Sequence, residues 1–197
     1  MSREKVLCGK GEIIQVAVGI VDREGMEAVS IRRIAKELGV SSMTIYNYVE
    51  NLQDVKKRVL ISGFDRMYSR IYEALNVAPD VSGSAGVCRA IAIEAFRFAD
   101  RNPGMFTFMY SDGRLLFHQD AEVRPFYDFF AKFIKRGRRS REEWMANERC
   151  YRLFETLVFT MAYQHCTGVK PMSEEEYTQY VDFYLCHCMP DETLRES

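Results

Sequence analysis

The sequence lacks the features that mark membrane proteins, secreted proteins and the common enzyme classes. No apolar stretch approaches the roughly 18–20 residues that a membrane-spanning helix needs, and the opening MSREKVLCGKGE has no continuous apolar core of the kind found in signal peptides. The chain also has no metal-ligand cluster, phosphate-binding loop or nucleophile motif at a specific spacing. We therefore expect a cytoplasmic protein with no membrane contact, no cofactor, no metal site and no catalytic activity.

The cysteines are interpreted as reduced thiols, because no secretory signal accompanies them. They are Cys8, Cys88, Cys150, Cys166, Cys186 and Cys188. The run Cys186-His187-Cys188 suggests a metal or redox site as an alternative, with His165 and Cys166 as further ligands. Helical residues two apart point about 200° from each other, so Cys186 and Cys188 can share an ion only if the helix has ended. Ordinary core or surface thiols remain the favoured interpretation.

The most informative segment is 31–50, IRRIAKELGVSSMTIYNYVE, whose spacing is typical of a helix-turn-helix. Ser30 is a suitable N-cap for the first helix, and Gly39 stands where a left-handed residue would end it. Ser41 or Ser42 can cap the second helix. The apolar positions of the unit are Ile31, Ile34, Ala35, Leu38, Val40 and Ile45. We expect the second helix to enter the major groove of DNA.

The solvent face of this second helix carries side chains that suit DNA contacts. Hydroxyl groups suit phosphate oxygens, Asn can bind adenine, and Met or a Thr methyl can contact a thymine methyl. The candidate residues are Ser42, Met43, Thr44, Tyr46, Asn47 and Tyr48. An alternative for Tyr46 and Tyr48 is that they are partly buried packing residues.

Residues 10–60 resemble the DNA-binding domain of the tetracycline-repressor (TetR) family. The resemblance is carried by the helix IIQVAVGIVDREGMEAVS, by Glu24-Gly25 at its end, and by the run Thr44, Ile45, Tyr46, Tyr48 and Val49. It implies that Ser42, Thr44, Tyr46, Asn47 and Tyr48 contact phosphates or bases. It also implies that Arg32 lies at the edge of the groove.

The chain departs from the family pattern just after this run. The family usually continues with [KNS]-K-x-[ED]-L, whose Lys contacts a phosphate, whereas this chain reads ENLQD over 50–54. Glu50 would therefore face the anionic backbone. Lys56 and Lys57, one turn further on, are the candidates to replace the missing contact. Net charge gives weak support: 1–60 holds ten Lys and Arg against eight Asp and Glu, in a chain of net charge −1.

Beyond residue 52 we expect helices throughout, with no strand-like alternation. An all-α protein of about nine helices follows, with a three-helix DNA-binding domain at 1–52 and a helical regulatory and dimerisation domain at 53–197. The predicted helices are 53–76, 87–100, 105–112, 122–136, 141–166 and 173–188, with a loop over 76–86.

The last two helices are apolar on more than one face, which requires a partner on the second face. The apolar residues are Leu153, Phe154, Leu157, Val158, Met161, Ala162, Tyr177, Tyr180, Val181, Tyr184 and Leu185. In the TetR family that partner is the same helix pair of a second subunit, so the resemblance implies a homodimer that binds a palindromic operator. The alternative is that both helices are buried within a monomer.

Large soft side chains are unusually frequent between the fifth and eighth predicted helices. The ordinary explanation is a core, and the family resemblance adds a ligand cavity. Our candidates for ligand contact are Met67, Phe96, Met109, Phe117, Tyr127, Phe130, Phe154 and Glu155. Glu155 lies in the apolar run RLFETLVFTMA, where a carboxylate must be paired, exposed or bound to a ligand.

Together these patterns favour a homodimeric repressor that binds a double-stranded DNA operator and is released by a small hydrophobic or amphipathic effector. One alternative is a helical enzyme or carrier that uses the cavity for chemistry. Another is a TetR-like fold that has lost tight DNA binding.

Overall fold

The computed structural model describes residues 9–77, 83–127 and 141–188, and every regular element in these ranges is helical. The all-α prediction is confirmed, and these described ranges hold ten α-helices. They are α1 (Lys10–Glu24), α2 (Ile31–Leu38), α3 (Ser42–Tyr46), α4 (Leu52–Val77), α5 (Gly83–Arg101), α6 (Pro103–Tyr110), α7 (Asp112–Phe117), α8 (Arg124–Tyr127), α9 (Arg141–Cys166) and α10 (Glu174–Cys188), with a short 3₁₀ turn at Met26–Ala28.

The first helix buries one apolar stripe and packs against α2, α4 and α6. Ile13, Ala17, Ile20 and Val21 are fully buried, as their helical spacing predicts. The helix ends at Glu24 because Gly25 takes a φ of 82°, a conformation that L side chains rarely adopt.

The long helix α4 joins the N-terminal helices to the rest of the molecule. Its inward side chains Val55, Val59, Phe64, Met67 and Ile71 are almost completely removed from solvent. Burial of this many apolar groups is the main favourable contribution to packing of the two parts.

The crossing of α4 with α6 is tight because α4 has a glycine at the crossing point. A Cβ atom at Gly63 would lie 2.8 Å from Sδ of Met105 and 2.9 Å from Sδ of Met109. The close approach fixes α6 in the core, where both methionines are fully buried.

The start of α6 packs directly on the end of α1. A Cβ atom at Gly104 would collide with the carbonyl oxygen of Val21. Beside this contact Arg66 of α4 donates to Asp22 at 2.9 Å and to Oδ1 of Asn102 at 2.6 Å. One arginine therefore links the first helix, α4 and the turn that precedes α6.

Several predicted helix bounds are wrong. The helix predicted to begin at 87 begins at Gly83, although the glycines of this first turn have low helix propensity, and α4 continues to Val77. The interpretation of Ser111-Asp112-Gly113 as a stop missed α7, which begins at Asp112 directly after α6. The helix predicted from residue 122 begins at Arg124, and its predicted continuation over 128–136 lies outside the described residues. The bounds of α9 and the end of α10 are confirmed.

None of the helices in the described ranges is both long enough and apolar enough to span a membrane.

Candidate nucleic-acid interface

The helix-turn-helix forms from local signals that the sequence predicts. The hydroxyl of Ser30 accepts a bond from the backbone N–H of Arg33 at 3.2 Å, which caps α2. Gly39 ends α2 in the left-handed conformation with φ 66°, and the N–H of Val40 then donates to the carbonyl of Ala35 at 3.0 Å. These predictions are confirmed.

Ser41 is the N-cap of α3. Its hydroxyl accepts from the backbone N–H of Thr44 at 3.1 Å and lies 2.9 Å from the hydroxyl of the same residue. Ile45 is fully buried and anchors α3 on α2. The prediction left Ser41 and Ser42 open, and the structure assigns the cap to Ser41.

The outer face of α3 and the residues just after it form what we call the recognition face. Met43 is 73% exposed, Tyr46 49% and Tyr48 42%. Asn47 is also exposed, whereas Ser42 and Thr44 are half-buried. Tyr46 and Tyr48 each keep a little under half of their surface in solvent, so both are partly buried and both still offer surface for a contact.

Two neighbouring arginines of α2 differ in their surroundings. Arg33 donates to Glu24 at 2.6 Å and to Glu37 at 3.0 Å, and the hydrogen bond to Glu37 is the main reason that its pKa is raised. Arg32 is exposed and has no ion pair within the described ranges. Arg32 is therefore the arginine of α2 that can turn toward a phosphate.

The side-chain amide of Asn51 caps the start of α4, close to the position at which the family pattern has a lysine. Oδ1 of Asn51 accepts from the backbone N–H groups of Gln53 at 2.8 Å and Asp54 at 3.1 Å. Glu50 is exposed beside it. Lys56 is half-buried, and Lys57 lies 3.3 Å from carboxylate oxygens of both Asp120 and Glu122. Of the two candidate replacements for the missing lysine, Lys57 is therefore already engaged with carboxylates.

The predicted ligand-contact residues do not converge on one place. Met67, Met109 and Phe154 are fully buried core residues and Phe96 is 2% exposed. Phe96 stacks on Tyr177, with ring centroids 4.4 Å apart. These four side chains serve the core, and Phe130 lies outside the described residues.

Two further candidates lie in different places: Tyr127 is near the α4–α6 crossing, and Phe117 is beside the first turns of α4, close to Lys57 and Asp120. Tyr127 and Phe117 are half-buried, and the hydroxyl of Tyr127 donates to the carbonyl of Met109 at 2.9 Å. The ring of Tyr127 packs edge-on against Phe64 at 4.9 Å, and the guanidinium of Arg114 lies 5.5 Å from the centre of the same ring.

A cleft of about 370 Å³ opens between α6, α7 and α9, and Glu155 is the predicted residue that lines it. We call it the aromatic cleft. Its lining residues are Tyr110, Arg114, Arg152, Glu155, Thr156, Phe159, Thr160 and Tyr163. The rings of Tyr110 and Phe159 stack across it at 4.6 Å. Polar and aromatic residues alternate on one stripe of α9, a signal that a helical plot of 152–163 could have revealed.

Glu155 shapes the electrostatics at the inner end of this cleft. Burial raises the pKa of Tyr68 well above its usual value, and the negative charge of Glu155 adds to the effect. Burial also raises the pKa of Tyr110, with further contributions from Tyr68 and Glu155. The carboxylate and two phenols therefore lie close together and act on one another.

The last two helices leave an apolar face in solvent. Leu153 is 62% exposed and Phe183 63%, with Tyr180 at 42%. On the opposite sides Val158 and Tyr177 are buried in the core. Among the described residues, these parts of α9 and α10 are not covered by the rest of the chain.

The cysteines and histidines at the ends of α9 and α10 have separate surroundings. Within the described residues no group of three or more potential ligands comes together. The helix α10 continues to Cys188, so Cys186 and Cys188 point in different directions. Nε2 of His165 lies 3.0 Å from Asp100, and its Nδ1 accepts from the backbone N–H of Met172 at 3.2 Å.

Comparison with known proteins agrees with this geometry. Residues 13–50 match the family described as "Bacterial regulatory proteins, tetR family". The chain is similar to the uncharacterized HTH-type transcriptional regulator YobS of Bacillus subtilis, with 23% identity over 94 residues that cover 48% of this chain and 47% of that one. The chain thus spans about half the length of that relative.

Two further likenesses cover most of the chain. An HTH-type transcriptional regulator of Staphylococcus aureus is 23% identical over 175 residues, 88% of this chain and 90% of the other. A tetR-family transcriptional regulator of Streptomyces coelicolor shares the fold, with a TM-score of 0.63, 17% identity, and coverage of 93% of this chain and 80% of the other. These two relatives are transcriptional regulators. Residues 13–50 thus carry the sequence pattern of the tetR family of bacterial regulatory proteins, and the chain shares the fold of the Streptomyces coelicolor protein.

Proposed function

We propose that the protein is a homodimeric transcriptional repressor that binds a palindromic operator and is released by a small ligand. The observation that carries the proposal is the recognition face, which is exposed on a short helix whose cap, turn and buried anchor are all in place. A helix presented in this way suits the major groove.

The chemistry of the recognition face supports contacts with both backbone and bases. The phenols of Tyr46 and Tyr48 can donate hydrogen bonds to phosphate oxygens. The amide of Asn47 can form two hydrogen bonds to one adenine base. Met43 supplies an exposed apolar group for a thymine methyl. Arg32 adds a positive charge on the preceding helix.

The exposed face of α9 and α10 supports dimerisation. Leu153, Tyr180 and Phe183 present apolar surface that a second copy of the same helices would cover. A twofold axis between the two pairs gives each dimer two recognition faces, and a spacing of about 34 Å, one turn of DNA, would let them bind a palindrome.

The aromatic cleft is our proposed effector site. Its volume of about 370 Å³ is within the range of about 300–1,000 Å³ for small-molecule pockets. Stacked rings and hydroxyl groups suit an amphipathic molecule. A ligand would lower operator affinity if it bound more tightly to conformers in which the two recognition faces do not match the spacing of the operator, because it would raise the population of those conformers.

The test is DNA affinity of Tyr46 variants, measured by fluorescence anisotropy on the duplex that the wild-type protein retains from a random pool. Tyr46→Ala should weaken binding by about 1–3 kcal/mol, or roughly fivefold to 150-fold. Tyr46→Phe removes only the hydroxyl group and should lose less DNA affinity than Tyr46→Ala. Glu73→Ala, an exposed change on α4, is the control and should bind like the wild type.

Unchanged affinity of Tyr46→Ala and Thr44→Ala would contradict the placement of the recognition face. Turnover of a small molecule without any DNA binding would instead support the alternative of a helical enzyme or carrier.

A further inference from the structure

Six charged side chains of alternating sign form a continuous series that we call the ion-pair chain. In order they are Lys10, Asp54, Arg58, Glu122, Lys57 and Asp120. The nitrogen-to-oxygen distances along it are 3.2 Å, 3.6 Å, 2.7 Å, 3.3 Å and 3.3 Å. Each interior member shares two partners, so the six groups form one network.

The ion-pair chain joins three separate parts of the fold. Lys10 is the first residue of α1. Three members of the network, Asp54, Lys57 and Arg58, lie on the first two turns of α4. Asp120 and Glu122 belong to the turn between α7 and α8. The network therefore connects the first helix of the DNA-binding unit to the regulatory helices through the base of α4.

The two carboxylates at the regulatory end are held in place by their own turn. Oδ1 of Asp120 accepts from the backbone N–H of Glu122 at 2.9 Å, and the carbonyl of Asp120 accepts from Arg124 at 2.8 Å. Val123 is fully buried and anchors the turn in the core. Lys57 and Arg58 therefore meet an acceptor pair whose position is set by the regulatory part of the molecule.

The charges perturb one another as a connected network should. For Asp54, burial opposes ionisation, but the hydrogen bond and charge of Lys10 outweigh it and lower the pKa. The pKa of Asp120 is lowered first by the N–H of Glu122 and further by Lys57. Because these side chains are partly exposed, the pairs contribute little to overall stability. What the pairs provide is a connection, because they link the base of α4 to the start of α1 and to the turn between α7 and α8.

We propose that the ion-pair chain sets the position of the recognition face, and that Asp120 and Glu122 are positioning residues for DNA binding. The inference rests on the proposed DNA-binding function and adds the contact through which the regulatory helices control it. A change at the aromatic cleft, which shares α7 with this turn, would reach the DNA-binding unit by moving the two carboxylates.

A competing arrangement makes the opposite prediction. If the carboxylates merely keep Lys57 and Arg58 from the operator, neutralising them would free two cations for phosphates. DNA affinity would then rise, and the slope of log affinity against log salt would steepen by about 1 for each new phosphate contact.

The test is the double variant Asp120→Asn/Glu122→Gln, with DNA affinity measured over a range of salt concentrations. We expect affinity to fall about tenfold with an unchanged salt slope. Asp182→Asn is the matched control, because it breaks a comparable partly exposed pair with Arg89 between α5 and α10, and it should bind like the wild type. Stronger binding with a steeper slope would overturn the proposal.

Exchange of the charges of Lys57 and Asp120 distinguishes a positioning role of this pair from the simple loss of a positive charge that could contact DNA. Lys57→Asp alone and Asp120→Lys alone should each weaken DNA binding. The two together should recover part of the affinity, because one pair is re-formed with reversed signs while the bond from the N–H of Glu122 to Asp120 and the pair of Lys57 with Glu122 are lost. Failure of the exchange to recover any affinity would contradict a positioning role.

Hydrogen exchange followed by mass spectrometry tests the same network without DNA. Asp120→Asn/Glu122→Gln should speed amide exchange in 52–60 and at the start of α1, and leave α10 unchanged. Absence of DNA binding by the wild type would overturn the proposed function, whereas unchanged exchange in 52–60 would overturn the positioning role.

Discussion

Single residues decide where the helix-turn-helix begins, turns and ends. Ser41 is a clear example, because its hydroxyl both accepts the N–H of Thr44 and contacts the hydroxyl of that residue. Thr44 is thereby held half-buried while Met43 and Tyr46 project into solvent. Thr44 thus contributes to the local fold as well as to the predicted DNA surface. Effects of Thr44 variants on DNA affinity must be compared with their effects on stability.

Ser41→Ala should lower the free energy of unfolding by about 1 kcal/mol, since it removes the N-cap of α3. The measurement is urea unfolding followed by circular dichroism. Ser42→Ala is the control, because Ser42 follows the cap and makes no capping bond, and it should change stability much less. Equal losses in both variants would contradict the assignment of Ser41 as the cap.

At the scale of elements, the start of α6 packs directly on the end of α1. Gly104 allows it, because any side chain there meets the carbonyl of Val21 and lies 3.2 Å from Cα of Gly25. The same two helices are bridged through Arg66, which binds Asp22 and Asn102. A displacement of α6 must therefore displace the end of α1 as well.

Gly104→Ala should destabilise the protein by about 1–3 kcal/mol, the usual cost of forcing a methyl group into a packed contact. Urea unfolding measures the effect. Gly11→Ala tests the same substitution in α1 where no atom lies within 4 Å of the added Cβ, and it should be neutral or slightly stabilising. If Gly104→Ala is as well tolerated as Gly11→Ala, the close α1–α6 packing is wrong.

The sequence predicted local elements well and tertiary groupings poorly. The caps at Ser30 and Gly39 were predictable because capping depends on neighbouring residues, and the bounds of α9 followed from its helical period. By contrast, aromatic composition could not separate Phe96, which packs on α10, from Tyr127, which packs near α6. The pairing of Lys57 with Asp120 joins residues 63 positions apart, and no local pattern encodes it.

At the scale of the whole molecule, the exposed apolar face of α9 and α10 has to be covered for the proposed function to operate. Leu153 and Phe183 are each more than 60% exposed, and a single chain offers nothing further to cover them among the described residues. A symmetric dimer would bury both copies of this face and supply two recognition faces.

Phe183→Glu should convert the dimer into a monomer, because each of the two subunits would bury an unpaired carboxylate in the interface. Light scattering after size exclusion should give about twice the 22.9 kDa chain mass for the wild type and the single mass for the variant. Leu115→Glu changes a 76% exposed leucine of α7 and should remain dimeric. A monomeric wild type would contradict the proposed assembly.

The most direct test of the central claim is selection of random duplex DNA by the purified protein, followed by sequencing of the retained pool. We predict an enriched palindrome whose half-sites are centred about one helical turn apart, lost when Tyr46 is replaced by Ala. Enrichment of an unrepeated half-site would contradict the dimeric mode of binding. No enrichment even at low salt would contradict operator binding itself.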